Sequence, residues 1–112
     1  MAVLSTTVMK VKPGRWNDLL KVMRTMQHEL EAVGAKGFRL VQGFAAGEAS
    51  GSVVVIWEAG TWEEYGRVSD AFFADPAGID LLMQASTPEG PIATWQNSVY
   101  IDVPIKPIDA LQ

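Results

Sequence analysis

The chain of 112 residues contains no cysteine, one histidine and no cluster of basic residues. The absence of cysteine excludes disulfides, thiolate nucleophiles and cysteine metal ligands, and one histidine cannot build a three-histidine metal site. The net charge of −4 argues against nucleic acid, because phosphate contacts need clustered lysine and arginine. We therefore expect no metal, no bound cofactor and no nucleic-acid partner.

Long apolar segments are also missing. No run approaches the ~20 apolar residues that a membrane span needs, and the N-terminus has no charged region followed by an apolar stretch. We therefore expect neither a membrane partner nor a signal peptide, and the lack of cysteine favours a cytoplasmic protein. Apolar residues make up 48% of the chain, which predicts one globular domain over residues 1–104 and a C-terminal tail over residues 105–112.

The spacing of the apolar residues changes along the chain, from period two in strands to period 3.6 in helices. The predicted elements are a strand at 3–11, a helix from 16 to a stop at Gly34, strands at 37–45 and 52–59, a helix after the Thr61 cap, a short helix at 79–85 and a strand at 93–103. This order predicts an α+β, ferredoxin-like β-α-β-β-α-β domain, with a four-stranded antiparallel sheet and both main helices on one face.

Two local features support this order. The segments "PGRWNDLLKV" (13–22) and "AGTWEEYGRV" (59–68) correspond at an offset of 46, which favours two strand–helix–strand units, although chance remains an alternative. The run "TWEE" (61–64) has the spacing of a capping box, in which the first and fourth residues exchange hydrogen bonds. Trp16 and Trp62 begin the two helices on their apolar sides, and we expect both to pack in the core.

The third strand raises a question because "VVVIW" (53–57) is apolar on both faces, whereas the helices can cover only one face of the sheet. The uncovered face would hold Val54 and Ile56, together with either Leu4 and Val8 or Val3 and Met9. We expect a second copy to cover it and form a homodimer through the open sheet faces. The alternative is the chain's own tail, whose apolar residues are Ile105, Ile108 and Leu111. Both explanations hold if the tail crosses the partner.

The element order, the passage "VVVIWEAGTWEEY" (53–65) and the run "FFADPAGIDLL" (72–82) resemble the dimeric α/β-barrel superfamily, in particular its antibiotic-biosynthesis-monooxygenase-like and NIPSNAP-like branches. The resemblance covers about residues 3–103. It implies a homodimer whose two sheets form a barrel, and a pocket in each subunit between helices and sheet. Such families include cofactor-free oxygenases, haem-degrading enzymes, isomerases and polyketide-binding proteins, so the fold does not choose the activity.

The lone histidine, His28, lies on the polar stripe of the first helix, which predicts a solvated side chain of undetermined role. In the haem-degrading relatives the catalytic histidine belongs to the second helix, where this chain has none. Haem degradation is therefore not expected.

Aromatic and amide side chains on the strands are the better candidates for a ligand site. Aromatic walls suit flat ligands through ring stacking, and a few polar groups in an apolar pocket orient a small molecule. The predicted ligand-binding residues are Trp57, Trp95, Gln96, Asn97, Tyr65, Arg39 and Gln42. For each of them, packing in the core, at the barrel rim or at a dimer contact is the alternative.

These features predict a small-molecule enzyme of the cofactor-independent monooxygenase-like type, acting on an apolar or aromatic metabolite. In such a reaction the substrate itself reduces O2, and the protein supplies a dry pocket, a positioning amide and a phenol. The alternatives are a non-catalytic binding protein for a small hydrophobic ligand and a structural or regulatory dimer. No residue can be assigned as catalytic from the sequence.

Overall fold

The structure is a computed structural model that describes residues 2–44 and 51–105. Its elements are β1 (Val3–Val11), α1 (Trp16–Ala32), β2 (Lys36–Gln42), β3 (Val53–Ala59), α2 (Trp62–Ala74), α3 (Pro76–Ala85) and β4 (Ile92–Ile101). The strands form one antiparallel sheet in the order β2-β3-β1-β4. The ferredoxin-like fold predicted from the sequence is therefore confirmed. Within the described residues, no helix is long and apolar enough to cross a membrane.

The element boundaries differ most from the prediction at the end of β2 and at the start of α3. Strand β2 ends at Gln42, so Phe44, which was expected inside the strand, is instead 96% exposed beyond its end. Helix α3 begins at Pro76 and not at residue 79. Pro76 ends the preceding helix as expected, but it also suits the first position of the next one, where its missing N–H is harmless. The Asp75 side chain caps this start by accepting a hydrogen bond from the Ala77 N–H at 3.0 Å.

The core lies between the helices and one face of the sheet. The apolar stripe predicted for helix α1 is confirmed at Leu19, Met23, Met26 and Leu30, which are buried, and is wrong at Leu20 and Gln27, which are exposed. Helix α2 buries Phe72 and Val68. The odd-numbered residues of β3, from Val53 to Ala59, complete this layer.

The two tryptophans at the helix starts do not pack in the core, which corrects the sequence prediction. Trp16 is 40% exposed and Trp62 is 52% exposed, and Phe73 at the other end of α2 is 57% exposed. Helical side chains point back toward the N-terminus, so a residue in the first turn extends away from the layer that its helix covers. The two helices nevertheless begin at equivalent tryptophans, as the internal repeat predicts.

The start of α2 is held by a modified capping box. The Thr61 hydroxyl accepts the Glu64 N–H at 3.1 Å, as predicted, but Glu64 Oε2 accepts from the N–H of Gly60, at 3.2 Å, and not from that of Thr61. Lys36 Nζ lies 3.2 Å from the other oxygen of Glu64. This ammonium, followed by the Gly60 N–H, lowers the pKa of Glu64 below its ordinary value of 4.5. The contact links the start of β2 to the start of α2.

The sheet face away from the helices carries apolar side chains on all four strands. The register pairs Val8 and Val41 with Val54 and places Leu4 opposite Tyr100, so these residues share one face. This decides between the two sequence alternatives, because Val3 and Met9 point to the helices and are buried. We call this surface the open face and define it by Leu4, Val8, Val41, Val54, Ile56 and Tyr100.

The one described residue of the tail, Ile105, is 98% exposed and therefore does not pack on the open face. Val103, just before the tail, is 77% exposed. Ile108 and Leu111, which were also considered as a cover, lie outside the described residues. Among the described residues, no segment of the chain therefore covers the open face.

Candidate functional site

A cleft with a volume of about 70 Å³ lies between the sheet and the helices. Its floor comes from the helix-facing side of β1, β3 and β4, because residues of the same parity on paired strands point to the same side. Its walls come from all three helices. Ser5, Thr7, Trp57 and Asn97 line the floor, and Tyr65 and Ser69 line the cleft from α2.

One wall of the cleft is aromatic. The Trp57 and Tyr65 rings stack with centroids 5.3 Å apart and planes 11° apart, and Trp62 meets Tyr65 edge-on at 6.0 Å. Trp57 is only 7% exposed, because it points from the central strand β3 under α2. Phe73 and Trp95 also line the cleft, and since each is more than half exposed they form its rim. Such stacked pairs contribute roughly 0.5–1.5 kcal/mol beyond the burial of their area.

The polar part of the floor is an amide held by two hydroxyls. Ser5 Oγ donates to Asn97 Oδ1 at 3.3 Å, and Thr7 Oγ1 donates to the same oxygen at 3.4 Å. Thr7 is the direct ladder partner of Asn97, and Ser5 lies two residues further along the same face. Ser5 is 3% exposed. The amide is therefore fixed against the sheet although β4 is an edge strand.

The cleft offers little acid–base chemistry. Among the described residues that line it, Tyr65 is the only one with an ionisable side chain. No carboxylate or imidazole from this part of the chain lines the cleft, so an aromatic ring, a phenol, hydroxyls and one amide are the groups that a bound molecule would meet. This chemistry suits recognition of a flat, weakly polar molecule.

The structure divides the predicted ligand-binding residues into two groups. Trp57, Tyr65, Trp95 and Asn97 lie together in the cleft. The others, Arg39, Gln42 and Gln96, do not line it.

Strand alternation explains the division. Gln96 follows Trp95 and precedes Asn97, so its side chain points to the opposite face of the sheet. Arg39 pairs with Ile56 and points to that face as well. Gln42 has the helix-side parity but lies at the end of β2, the edge strand on the other side of the sheet.

The three amides among the predicted ligand-binding residues are not buried. Gln42, Gln96 and Asn97 are all exposed, because each lies on an edge strand that has a neighbour on one side only. Gln96 lines instead a shallow depression of about 200 Å³, where Val8, Lys10 and Thr94 from the same face are its neighbours. Trp95 also borders this depression, but the stacked Trp57–Tyr65 pair lies only in the cleft. We therefore regard the cleft as the better candidate for an apolar ligand.

Sequence reasoning missed Ser5 and Thr7. A signal was present, because Ser5 and Thr7 occupy odd positions of β1, as Val3 and Met9 do, and so lie on the same, core-facing side. Small polar residues at positions where a strand should be apolar indicate a partner for a buried polar group. Here that partner is the Asn97 amide, 92 residues away from Ser5 in sequence.

Among the residues that the structure describes, titratable groups away from the cleft form no second site. His28 is exposed on α1, as its position on the polar stripe predicts. The neighbouring Asp75 carboxylate accepts a hydrogen bond from the protonated Glu29 carboxyl, which raises the pKa of Glu29, and burial adds to the effect. No group of three or more histidine, aspartate or glutamate side chains in residues 2–44 and 51–105 could hold a metal ion.

Neither a protein-family model nor a curated protein sequence matches the chain. Solved structures do match along nearly its whole length. A NIPSNAP family protein from Agrobacterium tumefaciens has a TM-score of 0.67 and 13% identity, with 96% of this chain and 99% of that chain covered. A Dabb family protein with a ferredoxin-like fold from Mesorhizobium loti has a TM-score of 0.68 and 13% identity, with coverages of 92% and 98%.

An uncharacterized NIPSNAP domain protein from Burkholderia xenovorans has a TM-score of 0.67 and 14% identity, and the match covers 94% of this chain and 98% of that chain. Likeness at such low identity concerns the backbone fold, since a fold hosts many unrelated activities. The chain thus has the ferredoxin-like fold of NIPSNAP and Dabb proteins, in agreement with the resemblance seen in the sequence. One NIPSNAP match is itself described as of unknown function.

Proposed function

We propose that this protein binds a small apolar or aromatic molecule in the cleft between the sheet and the helices. The observation that carries the proposal is the stacked Trp57–Tyr65 wall, which lies with the Asn97 amide in one cleft. A flat ring would extend the existing stack, and the amide would fix its orientation. Apolar walls with a few convergent polar groups are typical of small-molecule sites.

The volume of the cleft limits the size of the ligand. About 70 Å³ is roughly half of the ~150 Å³ cavity that can take up a benzene molecule. A ligand of one or two rings would therefore fill the cleft and extend between the rim residues Phe73 and Trp95. Because these two side chains are 57% and 53% exposed, covering them with a ligand removes apolar surface from water and favours binding.

Cofactor-independent oxygenation is the second candidate. It is favoured by the convergence of a phenol and an amide, Tyr65 and Asn97, in an apolar cleft. The described lining supplies no carboxylate or imidazole as a base, so the substrate would have to lose its proton readily, as a quinol does. For this reason the geometry favours binding over catalysis.

The binding proposal can be tested by filling the cleft. Ser69 lines it from α2, and Ser69→Leu would place a branched side chain where the ligand is expected. Thr25→Leu, on the exposed side of α1, is the matched control. We expect 1-naphthol to quench tryptophan fluorescence in the parent protein and the control, and to bind at least about tenfold more weakly to Ser69→Leu, a difference of about 1.4 kcal/mol. Equal binding by all three proteins would contradict the proposal.

Oxygen uptake separates the two candidates. With 1,4-naphthohydroquinone as substrate, uptake above the uncatalysed rate that is lost in Ser69→Leu would support a reaction of the substrate with O2 in the cleft. Binding without such uptake would support a non-catalytic binding protein. Uptake that persists unchanged in Ser69→Leu would contradict a reaction in this cleft.

We also propose that the open face is covered by a second copy of the chain in a homodimer. The support is the set of apolar side chains on all four strands of this face, of which Val8, Val41 and Tyr100 are 36%, 40% and 57% exposed in the single chain. Exposed apolar surface of this kind marks an interaction site in a globular protein. A twofold axis lets the same surface serve as its own partner.

A further inference from the structure

We infer that the cleft selects ligands that carry a hydrogen-bond acceptor beside an aromatic ring, such as aromatic ketones and quinones, because Asn97 presents amide N–H groups to them. The inference rests on the proposed binding function and specifies its ligand class. It follows from how the Asn97 oxygen is already used.

An asparagine side chain has one oxygen with two lone pairs and one nitrogen with two N–H donors. Two hydroxyls, those of Ser5 and Thr7, donate to Asn97 Oδ1 at 3.3 and 3.4 Å. These two bonds use both lone pairs. Among the hydrogen bonds of the described residues, none involves Asn97 Nδ2, so this nitrogen is the part of the amide left for a ligand.

The strand register holds the amide in this orientation. Thr7 lies directly across the ladder from Asn97, and Ser5 follows on the same side of β1, so the two hydroxyls approach the same oxygen from neighbouring positions. Ser5 is 3% exposed, which leaves its hydroxyl little access to water. A donor with little access to water gains most from a protein acceptor, since leaving it unpaired is costly.

The position of the aromatic wall adds to the preference for ligands with an acceptor beside a ring. A ring placed against the Trp57–Tyr65 stack lies in the same cleft as Asn97, so a carbonyl attached to that ring can accept from Nδ2. A hydrocarbon of the same shape would keep the stacking but leave the amide donors without a partner. The carbonyl compound should gain about 2- to 10-fold in affinity from this hydrogen bond.

The experiment compares two molecules of nearly equal shape, acetophenone and α-methylstyrene, in which C=O is replaced by C=CH2. Both are titrated into ¹⁵N-labelled protein, and the dissociation constants are measured from amide shifts. Asn97→Asp keeps the shape and an oxygen for Ser5 and Thr7 but removes the N–H donors. Gln42→Glu makes the same amide-to-acid change on the other edge strand, outside the cleft, and is the matched control.

We expect the side-chain NH2 signals that vanish in Asn97→Asp to shift on adding acetophenone and not on adding α-methylstyrene. The ratio of the two dissociation constants should change about 2- to 10-fold in Asn97→Asp and stay constant in Gln42→Glu. Binding of both molecules with an unchanged ratio and an unshifted Asn97 NH2 would overturn the acceptor preference and leave the binding function standing. If neither molecule binds, both the acceptor preference and the proposed binding function are overturned.

Discussion

The proposed homodimer makes a sharp prediction for Val8, which lies in the central strand β1 on the open face. Its ladder neighbours are Val54 on β3 and Gln96 on β4. The side chain is 36% exposed in the single chain, so a lysine at this position can reach solvent in a monomer. In a dimer formed through the open faces, the same lysine would lie against the partner's sheet. We therefore expect Val8→Lys to leave the subunit folded and to prevent association.

The expected magnitude follows from the exposed fraction. Burying a whole valine side chain is worth roughly 1.5–3 kcal/mol, so covering the remaining 36% of Val8 contributes about 0.5–1 kcal/mol per subunit. The twofold axis doubles this to about 1–2 kcal/mol per dimer. The substitution removes that contribution and places two ammonium groups in an apolar interface, where their desolvation costs several kcal/mol more. A total above about 3 kcal/mol weakens the dimer more than 100-fold.

Sedimentation velocity between about 1 and 100 µM measures this directly, since 1 µM corresponds to an association free energy of about −8 kcal/mol. The parent protein should sediment at twice the subunit mass of 12.2 kDa, and Val8→Lys should sediment at 12.2 kDa. Thr25→Lys adds the same charge on the exposed side of α1 and should behave as the parent does. Circular dichroism establishes that the variants are folded.

Two outcomes would refute the reasoning. A parent protein that remains at 12.2 kDa across the whole range would show that the open face needs no second copy. A Val8→Lys variant that associates as tightly as the parent would show that the contact is formed elsewhere. In either case the barrel implied by the resemblance would lose its support.

Two further predictions concern stability. Leu19→Ala should lower the free energy of unfolding by about 2–5 kcal/mol, whereas Leu20→Ala, at a site that is 40% exposed, should cost clearly less; equal losses in urea titrations would contradict the described packing of α1. Lys36 lowers the pKa of Glu64, so this carboxylate stabilises the folded state above its unfolded pKa, and the contribution is lost as pH falls through the lower folded value. Glu64→Gln should therefore flatten the acid side of the stability–pH curve measured by urea unfolding. An unchanged slope would show that the Lys36–Glu64 contact does not cause this pH dependence.

The fold could be predicted because the two apolar periods are clear and the turns between them are marked. Strand β1 has the predicted bounds, and α2 starts after Thr61 as its capping residues indicate. The end of β2 could not be placed, because Phe44 continues the alternation although the strand has ended. Periodicity also assigned Trp16 and Trp62 to the core, since it reports the side of a helix but not whether the covering layer reaches its first turn.

The candidate site could be predicted only in part, since the sequence does not reveal which residues of different strands share a face. Trp57, Trp95 and Asn97 have odd positions in strands whose register brings them to the helix side. Gln96 is also a polar residue in an apolar strand, but its even position points its side chain to the open face. The amide's partners, Ser5 and Thr7, depend on the pairing of the first strand with the last, which no local pattern encodes.

The alternation that misled the site prediction also separates the two proposals physically. Along β1, Ser5 and Thr7 point to the cleft, while Leu4 and Val8 point to the open face. All the side chains used in the ligand argument come from one subunit and from the side that a second sheet would not touch. A defect on one face should therefore leave the other face intact. A monomeric protein that still binds aromatic ketones would retain the ligand proposal, and a dimer that binds none would retain the assembly proposal.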